Sequence, residues 1–466
     1  MKLKTRYIIF FVFFVVFLIS AIFILKYSLG YRYDFKKNIW QKTGILILKT
    51  DPKDAVIFLN GKLQKKKTPT KIINLFPRDY SIKLQNSGFF DWQKKITINP
   101  NLTTFVENIT LFKKDQTFTL LLDKNIENFK LFSNGKKIIF FTKNLKGFDL
   151  WSFNFETKEE KFIKYFPFAQ FIKINNFSFN SSEKNILIEG NTKLGVTNNL
   201  ILDLEKPENI ISLNEFEPNL QNIKWHQKND KILYGVVKTK DHFFLIEINL
   251  KDQKIISIIS EATNILDYFF DKASLYYLVS DLKNKNISLK KIEENNSSVK
   301  IGKKITQLPF SSYFFIFSPT NILSILDKEN QLLYLISPQS KIQKIILQAK
   351  NISWSKDGKK ILYYNDFELW ICYLNLEKLK ESSYELLGRW TQEILKAIWY
   401  PQENYFIFNS DNLINAVEID GLDQRNIAQL LKSEKIKDLF FSFEDKILYF
   451  IKEEKGENKL YKMEIK

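Results

Sequence analysis

The chain has 466 residues, more than one ordinary hydrophobic core serves, so two or three domains are expected. A content of 45% hydrophobic residues excludes a disordered chain, and 43 Phe and 20 Tyr favour half-buried pleated surfaces. The net charge of +18 raises a polyanion partner, but only five of the 70 basic residues are Arg, the side chain whose planar fork reads phosphates. The abundance of Lys, Asn, Ile and Phe together follows AT-rich codon usage, so the charge argues for solubility rather than for a nucleic-acid partner.

Residues 1–7 form a short basic tail carrying Lys2, Lys4 and Arg6. From Ile8 the chain reads IIFFVFFVVFLISAIFIL, ending at Leu25, with Ser20 as its only polar side chain. As a helix, residues 8–25 would span ~27 Å, close to the hydrocarbon thickness of a bilayer. No small-x-small cleavage site follows, since the next residues are Lys26-Tyr27-Ser28-Leu29-Gly30. An uncleaved transmembrane anchor is therefore expected. The basic tail places the N-terminus in the cytoplasm and the remaining domains outside the cell membrane, although Lys26, Arg32, Lys36 and Lys37 on the other flank oppose this. Residues 26–42 read as a juxtamembrane linker, with Tyr27, Tyr31, Tyr33 and Trp40 at headgroup level.

Residues 43–112 alternate short strands with turn signals. Gly44-Ile45-Leu46-Ile47-Leu48 is broken by Asp51-Pro52-Lys53-Asp54, and Ala55-Val56-Ile57-Phe58-Leu59 ends in the hairpin signal Asn60-Gly61. Tyr80, Ile82 and Leu84 alternate with Ser81, Lys83 and Gln85, so one face is buried and the other wet. Ile96 and Ile98 repeat the pattern. Pro52-Lys53-Asp54-Ala55, Asn60-Gly61, Thr68-Pro69, Pro77, Tyr80, Gly88-Phe89 and Trp92 follow in order, and on these residues the segment resembles the PEGA domain. It departs at Lys66-Lys67 and at Arg78-Asp79, both in turns. The resemblance implies a small β-sandwich of prokaryotic envelope proteins, with no enzymatic activity. Phe89 and Trp92 read as core.

The remainder, residues 113–466, is governed by internal repeats. NFKLFSNGKKIIFF (128–141) aligns without gaps on NISWSKDGKKILYY (351–364), and Phe148-Asp149-Leu150-Trp151 matches Phe367-Glu368-Leu369-Trp370. Weaker copies start near Phe177, Ile223, Ile265, Tyr313, Ala397 and Ile436. The mean spacing is about 44 residues, the period of four-stranded propeller blades. The last copy has room for three strands, and the spare strand at residues 117–122 would close the ring. Eight blades are expected, with seven as the alternative. Trp354-Ser355-Lys356-Asp357-Gly358 and the looser Trp225-His226 phrase are similar to the TolB-like propeller repeat, without its Pro. The fold class is thus all-β: an N-terminal transmembrane helix, a PEGA-like sandwich and a β-propeller.

No catalytic constellation emerges. Neither His226 nor His242 has a ligand-spaced partner, Cys372 stands alone in an apolar strand, and no Gly-rich phosphate loop or nucleophile elbow occurs. No catalytic, cofactor-binding or metal-binding residue is assigned, and no cofactor is expected. Asp149, Asp203, Asp366 and Glu368 are the acids a glycosidase reading would use; solvated strand ends account for them better. The expectation is a non-enzymatic, membrane-anchored extracytoplasmic binding or scaffold protein whose propeller meets an envelope protein or glycan. The alternatives are an envelope hydrolase with carboxylates in the propeller cleft, and an electrostatic binder of an anionic polymer.

Overall fold

The computed structural model describes every residue except 1–2, 115, 241, 272–273, 282–284, 294–301, 321, 337–341, 347–348, 376–381 and 445. Among the described residues there is one α-helix, α1 (Leu3–Ser28). Within its segment Tyr7–Ser28 an 18-residue window has a mean hydropathy of 3.4, and no residue of that window is buried. A helix this apolar and this exposed is a candidate membrane anchor, because lipid can cover the side chains that the protein does not.

Residues 26–42, expected as a linker, hold a β-hairpin formed by β1 (Tyr31–Asp34) and β2 (Ile39–Lys42). Its Trp40 faces Tyr33 across the strands and meets Phe23 of α1 at 5.4 Å between ring centroids. The Arg32 guanidinium lies 3.6 Å from the Tyr27 ring centroid. Aromatic residues thus gather beside the last turns of the helix, where an interfacial belt belongs.

The sandwich contains β3 (Gly44–Asp51), β4 (Val56–Leu59), β5 (Lys62–Leu63), β6 (Thr70–Leu75), β7 (Asp79–Gln85), β8 (Trp92–Thr97) and β9 (Thr103–Thr110). One sheet has the order β6-β3-β9 and the other β5-β4-β7-β8. Strand alternation sends Leu46, Leu48, Ile57, Ile82, Leu84, Trp92 and Ile96 into the shared core. Each such side chain contributes roughly 1.5–3 kcal/mol when fully buried. Asn60 and Gly61 both have positive φ, 49° and 75°, as their hairpin requires. The Thr68 hydroxyl accepts from the Ala55 amide at 3.0 Å and pairs with Thr50 Oγ1, tying the Thr-Pro turn to β3.

From β10 (Phe118–Leu122) onward the described residues form eight four-stranded antiparallel sheets. Seven use consecutive strands, over residues 126–167, 173–212, 220–261, 265–309, 313–346, 351–389 and 396–432. The eighth joins the last three strands, 436–464, to β10, which lies against Glu457–Glu464. Every repeat start read from the sequence falls in the first strand of a sheet. The two best copies also share their register. Asn128 faces Phe141 and Leu131 faces Ile138, just as Asn351 faces Tyr364 and Trp354 faces Ile361. Their turns carry Gly135 and Gly358 at φ +69° and +68°, and a Cβ on Gly135 would sit 2.7 Å from the Phe443 amide nitrogen.

Each sheet packs on the next through a cluster drawn from both. The cycle returns to its start where Leu122, Phe440, Tyr449 and Leu460 of the eighth sheet bury against Ile126, Ile138 and Phe140 of the first. The hairpins therefore curl into a β-propeller rather than stacking in a line, and β10 is the strand that shuts it.

Candidate binding surfaces

The two domains meet along a polar seam that begins with a violation of strand alternation. In β8 the core-facing positions hold Trp92, Lys94 and Ile96, and Lys94 is completely buried. Its ammonium is met from the propeller by Glu418 Oε2 at 3.3 Å, Asp420 Oδ2 at 2.9 Å and the Asp420 carbonyl at 2.8 Å. Trp92 Nε1 donates to Glu418 Oε1 at 3.0 Å, and the other Glu418 oxygen accepts from the Asn426 amide and side chain. A buried ammonium is tolerated only with such partners. Along the outer edge of β8, the Gln93 and Lys95 amides donate to Asn426 Oδ1 and Asp423 Oδ2 at 3.0 and 2.8 Å. Asn404 Nδ2 reaches the Asn108 carbonyl at 2.8 Å, and Phe112 packs edge-on against Tyr405 in the propeller's own core. Phe89, read as core from the sequence, packs on the sandwich core; Trp92 belongs to that core and to the seam.

Beside the seam lies a cleft of about 630 Å³ between the open side of the sandwich and the seventh sheet. Its walls are the edge of β9 and the propeller loop around Ile419–Asp423, and it is lined by Glu107, Glu403, Glu418, Asp420 and Asp423 against Lys95. In a chain of net charge +18 this is an acidic hollow.

Antiparallel four-stranded sheets send their first-to-second and third-to-fourth turns to one rim of the wheel. The second-to-third turns and the connections between sheets emerge on the other. The sandwich docks on the first rim, through residues 403–404 and 418–426. The opposite rim carries apolar loop tips, with Leu145 97% and Leu194 90% exposed, and Phe310 and Phe367 about half exposed. Between the fifth and sixth sheets it holds a shallow hollow of about 540 Å³ lined by Glu329, Asp366, Phe367 and Glu368.

The acids singled out from the sequence are not brought together as a group. Asp149 accepts from Asn144 Nδ2 at 2.8 Å in the first sheet, and Asp203 caps the Glu205 and Lys206 amides in the second. Asp366 and Glu368 share the far-rim hollow. Asp366 pairs with Lys350 at 3.0 Å, and Glu368 pairs with Arg389 at 2.6 Å. The Trp370 indole N–H, with Asn365 and Arg389, outweighs desolvation and holds the Glu368 carboxyl below the usual range. That suits a structural anion better than a general acid. Glu189 is shifted the other way: burial raises its carboxyl, opposed by the Asn176 amide and the Lys130 ammonium.

His226 Nδ1 accepts from the Lys228 and Asn229 amides at 2.9 and 3.0 Å, so it caps a turn. The His242 amide donates to Thr239 Oγ1, and its ring lies near Phe244. Burial pushes the Cys372 thiol up to about 12. Among the described residues, no group of three or more His, Cys, Asp or Glu has a metal-holding arrangement. Of the repeat-phrase tryptophans, Trp225 Nε1 reaches back to the Ser178 carbonyl of the preceding sheet at 3.2 Å, while Trp354 Nε1 is buried with no hydrogen-bond partner among the described residues. Trp399, in the first strand of the seventh sheet, makes the equivalent bridge to the Ser353 carbonyl at 3.3 Å.

Comparison with known proteins agrees with this architecture. Residues 43–115 match the PEGA domain family. No curated protein sequence matches the chain. Among solved structures, the chain is similar to a eukaryotic initiation factor at 13% identity and TM-score 0.50, covering 74% of this chain and 86% of that one. The Cps50 (Swd1) β-propeller domain of Myceliophteria thermophila aligns at 10% identity and TM-score 0.44, covering 74% and 99%. An oligogalacturonate lyase from Vibrio parahaemolyticus aligns at 13% identity and TM-score 0.44, covering 75% and 91%. At 13% identity the likeness to the initiation factor is one of fold alone.

Proposed function

We propose that this chain, a PEGA domain followed by a β-propeller, is a membrane-anchored extracytoplasmic scaffold that presents the far rim of its propeller to an envelope protein or glycan. The observation that carries the reading is the seam. A buried Lys94 between Glu418 and Asp420 fixes the propeller to the sandwich, so the helix, hairpin and sandwich act as a mount and not as a loose tether. The mount occupies one rim and leaves the other, with its exposed Leu145, Leu194 and Phe367, free to meet a partner.

Of the four acids a glycosidase reading would use, the two that share a hollow, Asp366 and Glu368, are paired with Lys350 and Arg389, which supports binding over catalysis there. The basic surplus is interrupted by the acidic cleft, which disfavours an all-round polyanion binder. The test is photo-crosslinking in intact cells from positions 145, 194 and 367 in turn. Discrete protein or glycan adducts are expected from the far rim. Adducts from none of the three, or release of soluble fragments when the purified chain is incubated with cell-wall material, would count against the scaffold reading.

A further inference from the structure

We propose that the interdomain cleft is a second binding site, which takes an extended, lysine-bearing segment of a partner polypeptide as an added strand on β9. This deepens the scaffold reading by giving the mount itself a peptide partner. The argument starts from the two strand edges on the open side of the sandwich. Both β8 and β9 are edge strands of their sheets. The propeller caps β8, with Asn426 and Asp423 taking the Gln93 and Lys95 amides. It also ties down the far end of β9, where Asn404 holds the Asn108 carbonyl and the Thr110 hydroxyl. Residues 103–106 of β9 pair with β3 on one side, and among the described residues 103–107 receive no such cap on the other. Their outward backbone groups therefore line an open cleft in extended conformation, the template that strand addition requires.

The surroundings specify what would fit. Phe105 is 63% exposed on this strand and Leu422 is 66% exposed on the facing loop, so apolar side chains of an added strand have contacts at both walls. Glu107 makes no ion pair among the described residues, and Glu403, Asp420 and Asp423 also line the space. A cationic strand therefore meets complementary charge, and an acidic one is repelled. Natural edge strands are protected by charge, bulges or cover; on β9 the register shift lies past Val106, beside the carboxylate of Glu107, and leaves Thr103 to Val106 with an exposed phenylalanine and no charge.

The experiment uses the full chain in detergent micelles. The probe is a short synthetic peptide of alternating lysine and valine, followed by fluorescence anisotropy and amide hydrogen exchange. Binding that weakens with salt and slows exchange at residues 103–107 is expected. Methylating the peptide's backbone nitrogens keeps its charge but removes its donors, and is expected to weaken binding roughly tenfold. Glu107→Lys and Phe105→Ser, both exposed changes, are each expected to weaken it several-fold. No binding, equal binding of the methylated peptide, or protection confined to other strands overturns the proposal. Such a failure leaves the far-rim crosslinking result untouched, so the two readings fall separately.

Discussion

Replacing Lys94 with Met tests the seam at its least forgiving point. The change keeps the volume but removes an ammonium with three oxygen partners from a site with no solvent access. Removing one partner of a buried pair costs about 3–5 kcal/mol, because the remaining charge is left behind. Here the low end applies. Asp420 is half exposed and can be resolvated, and Glu418 keeps the Trp92 indole and two Asn426 donors. A loss of ~3 kcal/mol raises opening of the seam on the order of a hundredfold. Amide hydrogen exchange reads it directly, since the Gln93 and Lys95 amides are bonded to propeller side chains. They are expected to exchange about a hundred times faster, with far-rim amides unchanged. Adding Glu418→Gln neutralises the stranded carboxylate and is expected to recover part of the loss. A change of less than about twofold at Gln93 and Lys95, or one spread evenly over the propeller, would refute the reasoning.

Further outcomes follow from the same contacts. Trp92→Phe keeps the ring in the core but deletes the bond to Glu418; a loss of about 1.5–3 kcal/mol is expected in seam exchange. Leu122→Ala removes the buried end of the closing strand and is expected to cost about 2–5 kcal/mol of propeller stability in urea unfolding. The Asp327 carboxyl is buried, which alone would raise it, but bonds from Ser311 and from the amide and side chain of Asn330 outweigh burial and hold it below the usual range. A carboxylate depressed on folding stabilises above its unfolded value and loses that contribution as pH falls through the folded one. Urea midpoints are therefore expected to fall below about pH 4, less steeply in Asp327→Asn.

Much of the architecture was legible because the relevant signals are local and periodic. The turn residues Asn60-Gly61 and Gly135 need left-handed backbone, and the hydrophobic alternation around Ile82 and Leu84 fixes which face is buried. The repeat at 128–141 and 351–364 persists to the level of cross-strand register, since each copy must present the same face to its neighbour. Closure by β10 was readable as a missing fourth strand. The surfaces were not legible in the same way. Lys94 at a core-facing position of β8 was the one visible sign of the seam, being a charge where alternation demands an apolar residue. Its partners lie more than three hundred residues away, and nothing local to Glu418 or Asp420 marks them. The linker at 26–42 hid a hairpin because its four-residue strands are short and mostly polar between the aromatic residues.

Thiol mapping in intact cells tests most directly whether the sandwich and propeller are held outside the membrane by α1. The native Cys372 is buried and silent, so Thr5→Cys, in the first turn of α1 ahead of the apolar segment Tyr7–Ser28, and Leu145→Cys at an exposed loop tip each give one reporter. A membrane-impermeant maleimide is expected to label position 145 in intact cells and position 5 only after lysis. Labelling of 145 that waits for lysis would contradict the account.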